Sequence, residues 1–330
     1  MKKTLLTAAL MLCAMASFGQ KMPKRPEPKV EFNQKGIETQ RSKESVQGTA
    51  VWGNLLFSMR NTGLCVVIDM KKKELVSEFK LASYGEMNHA NDAFFGPDRY
   101  DENDKFPLIY ISQCKDKPVK EIGLPETDSH SRLCFVERIL TDETGKPVGT
   151  QIVQLIYLKL SKKHSRLMEF DPKNPQYLYT FGNTVGNEKP GNHIIFQRLP
   201  FPKFSKDKFL VELSEDDIQY SFYIDEVLPE GVKGPQENIL QGGLVYDGLL
   251  YLPVGAGSKH PSHLYVIDLR YGEDHSIRKG CWYDYSDVIT CEMEAMDVWR
   301  NKIVCTTNSH EAVRPVYSFK RKSFKIVNFK

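Results

Sequence analysis

Two stretches of the sequence decide the fold: QGTAVWGNLLF (47–57) and QGGLVYDGLLY (241–251). Aligned without gaps, they agree in identity or aromatic character at seven of eleven positions. Each consists of a short apolar segment, a two-residue turn (Gly53-Asn54 or Asp247-Gly248) and a second apolar segment. This pattern is typical of a β-hairpin, and its recurrence far along the chain predicts a repeat architecture.

Three further copies of the hairpin follow the same pattern. EAMDVWRNKIV (294–304) keeps the Val-Trp pair and has the turn Arg300-Asn301. HANDAFFG (89–96) is a copy with His89 at its first position, and the insertion DRYDENDK (98–105) delays its return strand. RLMEFDPKNPQYLYTFG (166–182) is the weakest copy, because Asp-Pro-Lys-Asn-Pro forms a longer turn.

The segments after each hairpin also repeat. A hydrophobic third strand follows each one: LCVVIDM, RLCFVERI, HIIFQRL, HLYVIDL and PVYSFKR. A more polar fourth strand follows most of these: ELVSEFKL, TQIVQLIYLKL, IQYSFYIDEVL and CWYDYS. Four strands per unit without a helical period predict an all-β fold, a single β-propeller with four-stranded antiparallel blades. We favour five blades and keep six as the alternative, because the repeat spacing is irregular.

A closed ring requires that the two chain ends meet. We expect the closing blade to combine the C-terminal strands VYSFKR and FKIVNF with a strand from the N-terminal side. An open ring would expose two unpaired strand edges. Val30–Phe32 is the segment that we expect to pair at a sheet edge.

The chain resembles the secreted bacterial β-propellers over residues 47–330. The resemblance rests on the hairpins at Gln47 and Gln241, the His-Ala-Asn-Asp run at 89–92 and Phe106–Tyr110. It points to a five- or six-bladed branch rather than to a named enzyme family, since Gly-His…Trp-Asp pairs and the kelch double glycine are absent from the sequence. The resemblance implies a fold and says little about chemistry.

The N-terminus predicts export. Residues 1–19 combine Lys2 and Lys3 with a short apolar run and small residues before Gln20, which is typical of a signal peptide. Residues 20–46 read as a flexible N-terminal segment and 47–330 as the propeller domain. No later stretch reaches the ~18 apolar residues of a transmembrane helix, so we expect a periplasmic or extracellular protein, with lipidation at Cys13 as a minor alternative.

The charge balance bears on the choice of partner. The chain has 45 Lys and Arg against 42 Asp and Glu, and loss of Lys2 and Lys3 leaves 43 − 42 = +1. Interspersed charges with so small a net value argue against a nucleic-acid partner. We expect a monomer that binds a small polar molecule or a glycan.

The repeat also suggests where a site would lie. The first strand of each blade lines the propeller axis, so the residues that start each copy should converge there. The expected ligand-binding residues are Gln47, His89, Asn91, Gln241 and Glu294, with a further residue near 164–166. Convergent polar groups in a closed fold suggest a ligand site. The alternative is that these groups only satisfy each other and the ends of the strands beside a water-filled channel.

Three function classes remain open at this point. The first is a binding protein without catalysis, and the second is a carbohydrate-active hydrolase or lyase that uses Asp92 and Glu294 as its carboxylates. For that reaction the sequence alignment supplies no third acid, because Gln47 and Gln241 are amides. The third is a protein-interaction scaffold. Whether the protein is an enzyme stays undecided.

Two further groups of residues bear on cofactors and disulfides. No cofactor is expected, except for a possible axial divalent cation such as calcium held by His89, Asp92 and Glu294. Six cysteines follow the signal peptide, and we expect at most one disulfide, with Cys281–Cys291 the nearest pair in sequence.

Overall fold

The computed structural model describes residues 22–39, 44–84, 89–112, 132–160, 167–256, 259–309 and 313–329 of the chain. Its strands form five sheets around an axis, so the all-β, five-bladed propeller is confirmed. Helix is confined to short turns within these residues, the one α-helical turn being α1 (Ile224–Val227). In this part of the chain no helix is both long and apolar enough to cross a membrane.

The blades follow one another in chain order, with the inner strand first. Blade 1 contains β2 (Val46–Trp52), β3 (Leu55–Arg60), β4 (Leu64–Asp69) and β5 (Glu74–Lys80). Blade 2 contains β6 (Asp92–Phe95), β7 (Ile109–Ser112), β8 (Leu133–Thr141) and β9 (Pro147–Lys159). Blade 3 contains β10 (Leu167–Phe170), β11 (Tyr177–Asn183), β12 (Ile194–Pro200) and β14 (Tyr220–Tyr223).

The last two blades complete the ring. Blade 4 contains β15 (Leu244–Tyr246), β16 (Leu249–Val254), β17 (His263–Asp268) and β18 (Lys279–Asp284). Blade 5 contains β19 (Glu292–Trp299), β20 (Lys302–Asn308), β21 (Pro315–Lys320) and, as its outermost strand, β1 (Lys29–Asn33). The six-blade alternative fails because the inserted strand β13 (Leu210–Ser214) does not start a sheet of its own. It pairs in parallel with β9 at the edge of blade 2.

Alternation along the strands places one apolar layer between each pair of neighbouring blades. In β3, Phe57 packs towards blade 2, whereas its neighbour Leu56 packs towards blade 5. In β16, Leu250 packs against blade 3 and Tyr251 against blade 5. Both faces of each blade are therefore buried, which accounts for strands that are apolar almost throughout rather than alternating with polar residues.

The ring is closed by the N-terminal segment. Strand β1 pairs with β21 in antiparallel register, with Val30 opposite Tyr317 and Phe32 opposite Val316. The expected pairing of Val30–Phe32 is thus confirmed, and so is a closing blade built from both chain ends. The assignment of FKIVNF to that blade was wrong, because β22 (Val327–Asn328) pairs with β18 of blade 4. Phe329 explains the difference, since its ring is buried in the apolar layer between blades 3 and 4.

A buried ion cluster holds the chain that leaves β1. The Glu38 carboxylate accepts hydrogen bonds from Arg60 Nη2 at 2.5 Å and from Arg314 Nη1 at 3.0 Å. Arg60 and Arg314 belong to blades 1 and 5, the first and last of the ring. The cluster therefore ties the two ends of the ring to the same N-terminal residue. The limits of the signal peptide and of the flexible segment remain predictions.

Candidate functional site

Neighbouring inner strands form backbone hydrogen bonds with each other near the residues at which these strands begin. Gly48 N donates to Ala90 O of blade 2 at 2.7 Å, and Gly242 N donates to Glu294 O of blade 5 at 2.7 Å. The pairing register shifts between Val46 and Thr49 in β2 and between Met293 and Ala295 in β19. Such bulges free backbone groups from their own blade, so they can bond to the next one.

These two equivalent bonds correct the sequence alignment of the second copy. In both, the second residue of one hairpin donates to the first residue of the next. The residue of blade 2 that takes the place of Glu294 is therefore Ala90 and not His89. The insertion after Gly96 replaces the two-residue turn of the other copies. The sequence therefore did not determine the register of this copy to within one residue.

Blades 2 and 4 contact each other across the axis. Asp92 Oδ2 of blade 2 accepts a hydrogen bond from Gly243 N of blade 4 at 2.8 Å, although these blades are not neighbours in the ring. A Cβ atom added to Gly242 would lie 3.0 Å from Asn91 O, again across the axis. Blades 2 and 4 are therefore in direct contact across the axis at the level of Asp92.

Asp92 belongs to a cluster of three inner-strand carboxyl groups. Its side chain is fully buried and hydrogen-bonded to Glu169 of β10, which is also buried. Burial raises the pKa of both groups well above the usual range, and repulsion from Asp92 and Asp297 raises the pKa of Glu169 further. Backbone N–H groups of Gly243 and Ala93 favour the charged form of Asp92. Glu169 is thus the group that keeps the proton and donates it towards Asp92.

Asp297 is the third member of this cluster. Burial raises its pKa to about 7, against hydrogen bonds of 2.5 Å from the backbone N–H groups of Val298 and Val51. The residue is surrounded by protein yet keeps a partial exposure to solvent. Asp297 acts on the buried pair through its charge, since it raises the pKa of both Asp92 and Glu169.

A second carboxyl pair lies at the start of β19. Burial, then repulsion and hydrogen bonding from Glu292, raise the pKa of Glu294 well above its ordinary value. Glu292 Oε2 accepts a hydrogen bond from Asn308 Nδ2 at 2.9 Å. The Oδ1 atom of Asn308 in turn accepts from Val46 N of blade 1 at 3.3 Å. This pair joins blades 5 and 1.

The expected site residues lie in one region, but with different partners from those that the sequence suggested. Asp92 pairs with Glu169, and Glu294 pairs with Glu292, so the expected Asp92–Glu294 carboxylate pair is replaced by two separate pairs. Gln241 Nε2 donates to Gly255 O of its own blade at 2.7 Å.

The two remaining expected residues, His89 and Asn91, lie at the start of the second copy. The backbone N–H of Asn91 donates to Ser112 O at 3.1 Å, and His89 is half-buried beside it. Residues 164–166 lie outside the described residues.

Three buried acceptor oxygens in this region have no donor within the described residues. They are the Oε1 atoms of Gln47, Glu169 and Glu294, and these residues are only 4%, 2% and 1% exposed. Buried polar atoms are nearly always hydrogen-bonded, to protein or to ordered water. The arrangement therefore offers acceptors to a molecule that brings hydrogen-bond donors.

Glu169 is the residue that sequence reasoning missed. The alignment of the fifth copy put its first position near 164–166, because the long turn at 171–175 hides the register. A usable signal was present: Glu169 stands between Met168 and Phe170 in an otherwise apolar strand. A carboxyl group in such a strand is seldom fully buried without a specific partner.

The structure also bears on the metal site and the disulfide that the sequence suggested. Among the described residues, no group of three or more His, Cys, Asp or Glu side chains is arranged to hold a metal ion. Cys281 and Cys291, the pair nearest in sequence, are not bonded to each other by a disulfide. Cys281 lies in β18 opposite Val266, inside the apolar layer between blades 4 and 5, where it serves as a core residue.

Comparison with protein-family models found no matching family, and comparison with curated proteins found no match. Of the resemblance that the sequence suggested, the structure shows the five-bladed propeller. A propeller of this kind fits a binding or scaffold role in general terms.

Proposed function

We propose that the protein binds a small, hydroxyl-rich polar molecule, such as a glycan unit, where the inner strands begin. The observation that carries the proposal is the set of unpartnered acceptors: Gln47 Oε1, Glu169 Oε1 and Glu294 Oε1. A buried acceptor without a donor costs about 1–3 kcal/mol, so several in one region favour a molecule that supplies O–H donors. The predicted signal peptide would place this binding in the periplasm or outside the cell.

The chemistry of the surrounding groups supports this choice. Glu169 and Glu294 keep their protons because burial raises their pKa, and each is hydrogen-bonded to a neighbouring carboxylate, so Oε1 of each residue is left as an uncharged acceptor. Sugar hydroxyls both donate and accept, and match such groups without requiring a net charge. The half-buried residues His89, Glu292 and Asp297 keep contact with solvent at the edge of the region.

The test is a thermal-shift screen of neutral monosaccharides, disaccharides and uronic acids, followed by calorimetric titration of any hit. We expect Glu294→Met and Glu169→Met, which remove the acceptor oxygens, to weaken binding at least about tenfold, which corresponds to 1.4 kcal/mol. Their melting temperatures check that both variants are folded.

Glu137→Met is the matched control. Glu137 is equally buried, but its carboxylate accepts from Ala82 N and Ser83 N in the outer part of the molecule. This variant should lose stability and keep its ligand affinity. Equal loss of affinity in all three variants, or no hit among the sugars, would contradict the proposal.

A second candidate function is hydrolysis of a glycosidic bond, and one observation favours it. The pKa of Asp297 at about 7 suits a group that gives and takes a proton near neutral pH. Asp92, which accepts from backbone N–H groups, could stabilise developing positive charge. Chromogenic glycosides assayed across pH 5–8 test this: activity should vanish in Asp92→Asn and Asp297→Asn. Binding without turnover would leave the first function alone.

A further inference from the structure

A basic groove lies on the other side of the molecule, between the N-terminal segment and blade 5. Its volume is about 690 Å³. The charged residues that line it are Lys24, Arg25, Lys29, Lys302, Lys320, Lys325 and a single acid, Glu27. Six cations against one anion give 6 − 1 = +5, whereas the whole chain carries only +3. The groove is thus a local concentration of positive charge.

Half of these cations are neutralised by carboxylates. Arg25 pairs with Asp287, Lys302 pairs with Glu31, and Lys24 lies 3.9 Å from Glu27 on the open surface. For Lys29, Lys320 and Lys325, no described carboxylate lies within ion-pair distance. These three ammonium groups supply the excess charge of the groove.

The sheet register forces the charges together. Lys302 of β20 lies directly opposite Lys320 of β21, and Lys29 of β1 lies opposite Ser318 of β21. Like charges directly opposite each other on neighbouring strands are destabilising. Glu31 pairs with Lys302 and accepts a hydrogen bond from Ser318 Oγ at 2.6 Å, and no described carboxylate pairs with Lys320.

We propose that this groove binds a small molecule or saccharide that carries phosphate or sulfate groups. Each lysine brings three N–H donors, a positive charge and no acceptor, which matches an oxyanion better than a neutral hydroxyl group, whose own O–H would find no acceptor there. The volume is within the range of sites for small ligands. The groove is separate from the carboxyl-rich region of the axis, so this inference does not depend on the function proposed for that region.

The test is calorimetric titration of the purified protein with tripolyphosphate and, separately, with a sulfated disaccharide, at low ionic strength. We expect at least one of them to bind, and to bind more weakly as salt screens the interaction. The variant Lys29→Gln/Lys320→Gln/Lys325→Gln should bind that probe at least about tenfold more weakly. The probe that binds distinguishes a phosphate ester from a sulfate ester as the natural ligand.

The matched control is Lys71→Gln/Lys72→Gln/Lys73→Gln. These three lysines are exposed in the β4–β5 turn of blade 1, so the control removes the same charge from another place. The control should bind like the unmodified protein. Equal weakening in both triple variants would show that overall charge is responsible, and absence of binding by both probes would overturn the proposal. Melting temperatures of both variants check that each is folded.

Discussion

Asp297 holds its proton up to a pH of about 7 because protein surrounds its carboxyl group. In the unfolded chain an aspartate loses its proton near pH ~4. Between these values the folded state binds more protons than the unfolded state, so the free energy of unfolding falls as the pH rises. The raised pKa values of Asp92, Glu169 and Glu294 act in the same direction. These inner-strand carboxyl groups therefore make the folded state more stable at mildly acidic pH than at neutral pH.

This predicts a specific effect of Asp297→Asn on pH dependence. The stabilisation that Asp297 contributes is complete below pH ~4 and is lost as the pH rises through about 7. The variant cannot titrate, so its melting temperature should fall less over this range than that of the unmodified protein. Differential scanning fluorimetry from pH 4 to pH 8 measures the difference.

The control for that experiment is Asp274→Asn. A hydrogen bond from Ser276 lowers the pKa of this exposed group, so its replacement should not reduce the fall in stability between pH 4 and pH 7. Parallel curves for the unmodified protein and Asp297→Asn would contradict the assignment of a raised pKa to Asp297.

At the scale of the elements, bulges and glycines bring the inner strands into contact. The backbone N–H groups of Gly48 and Gly242 reach the next blade because neither residue has a side chain in the way. A Cβ on Gly48 would lie 2.8 Å from Ala90 O, and one on Gly242 would lie 2.9 Å from Glu294 O. Closely packed backbone leaves no room for either methyl group. The second position of the hairpin repeat is glycine in these copies for this reason.

Gly242→Ala should therefore destabilise the protein by about 1–3 kcal/mol, since the inner strands must move apart. The midpoint of urea unfolding should fall without a change in its slope. Gly149→Ala is the control: nothing lies within 4 Å of its Cβ position in β9, and its stability should be unchanged or slightly higher. Equal stability of the two variants would show that the inner strands are less tightly packed than described.

The same details show what the sequence could and could not disclose. The hairpins were readable because Gly53, Asp247, Gly248 and Arg300 adopt positive φ at tight turns, which leaves a local signature. Contacts between blades leave no such local signature in the sequence. The one-residue shift to Ala90, the Asp92–Glu169 bond and the pairing of β22 with blade 4 all depend on which strands meet in space. For that reason the repeat was predictable and the carboxyl partners were not.

At the scale of the whole molecule, closure of the ring depends on residues that precede the first repeat. Strand β1 covers the edge of β21, and Glu38 joins Arg60 of blade 1 to Arg314 of blade 5. Phe32 is buried against the apolar layer between those blades. The N-terminal segment is thus part of the propeller and holds its first and last blades together.

A chain that begins at residue 44 should be markedly less stable than one that begins at residue 28. The shorter chain loses β1 and Glu38, which exposes the edge of β21 and leaves two buried guanidinium groups without their carboxylate. We expect its melting temperature to be lower by roughly 5 °C or more, together with aggregation on heating. Identical melting of the two chains would show that the ring does not need this strand.

The central claim is that the unpartnered acceptor oxygens of the inner strands accept hydrogen bonds from a bound ligand. A crystal structure at a resolution that shows ordered water, obtained with and without a sugar identified by the screen, tests it most directly. We predict water oxygens within hydrogen-bond distance of Gln47 Oε1, Glu169 Oε1 and Glu294 Oε1, and sugar hydroxyls in place of at least two of them in the complex. Protein donors at all three oxygens, or a sugar bound elsewhere, would contradict the account.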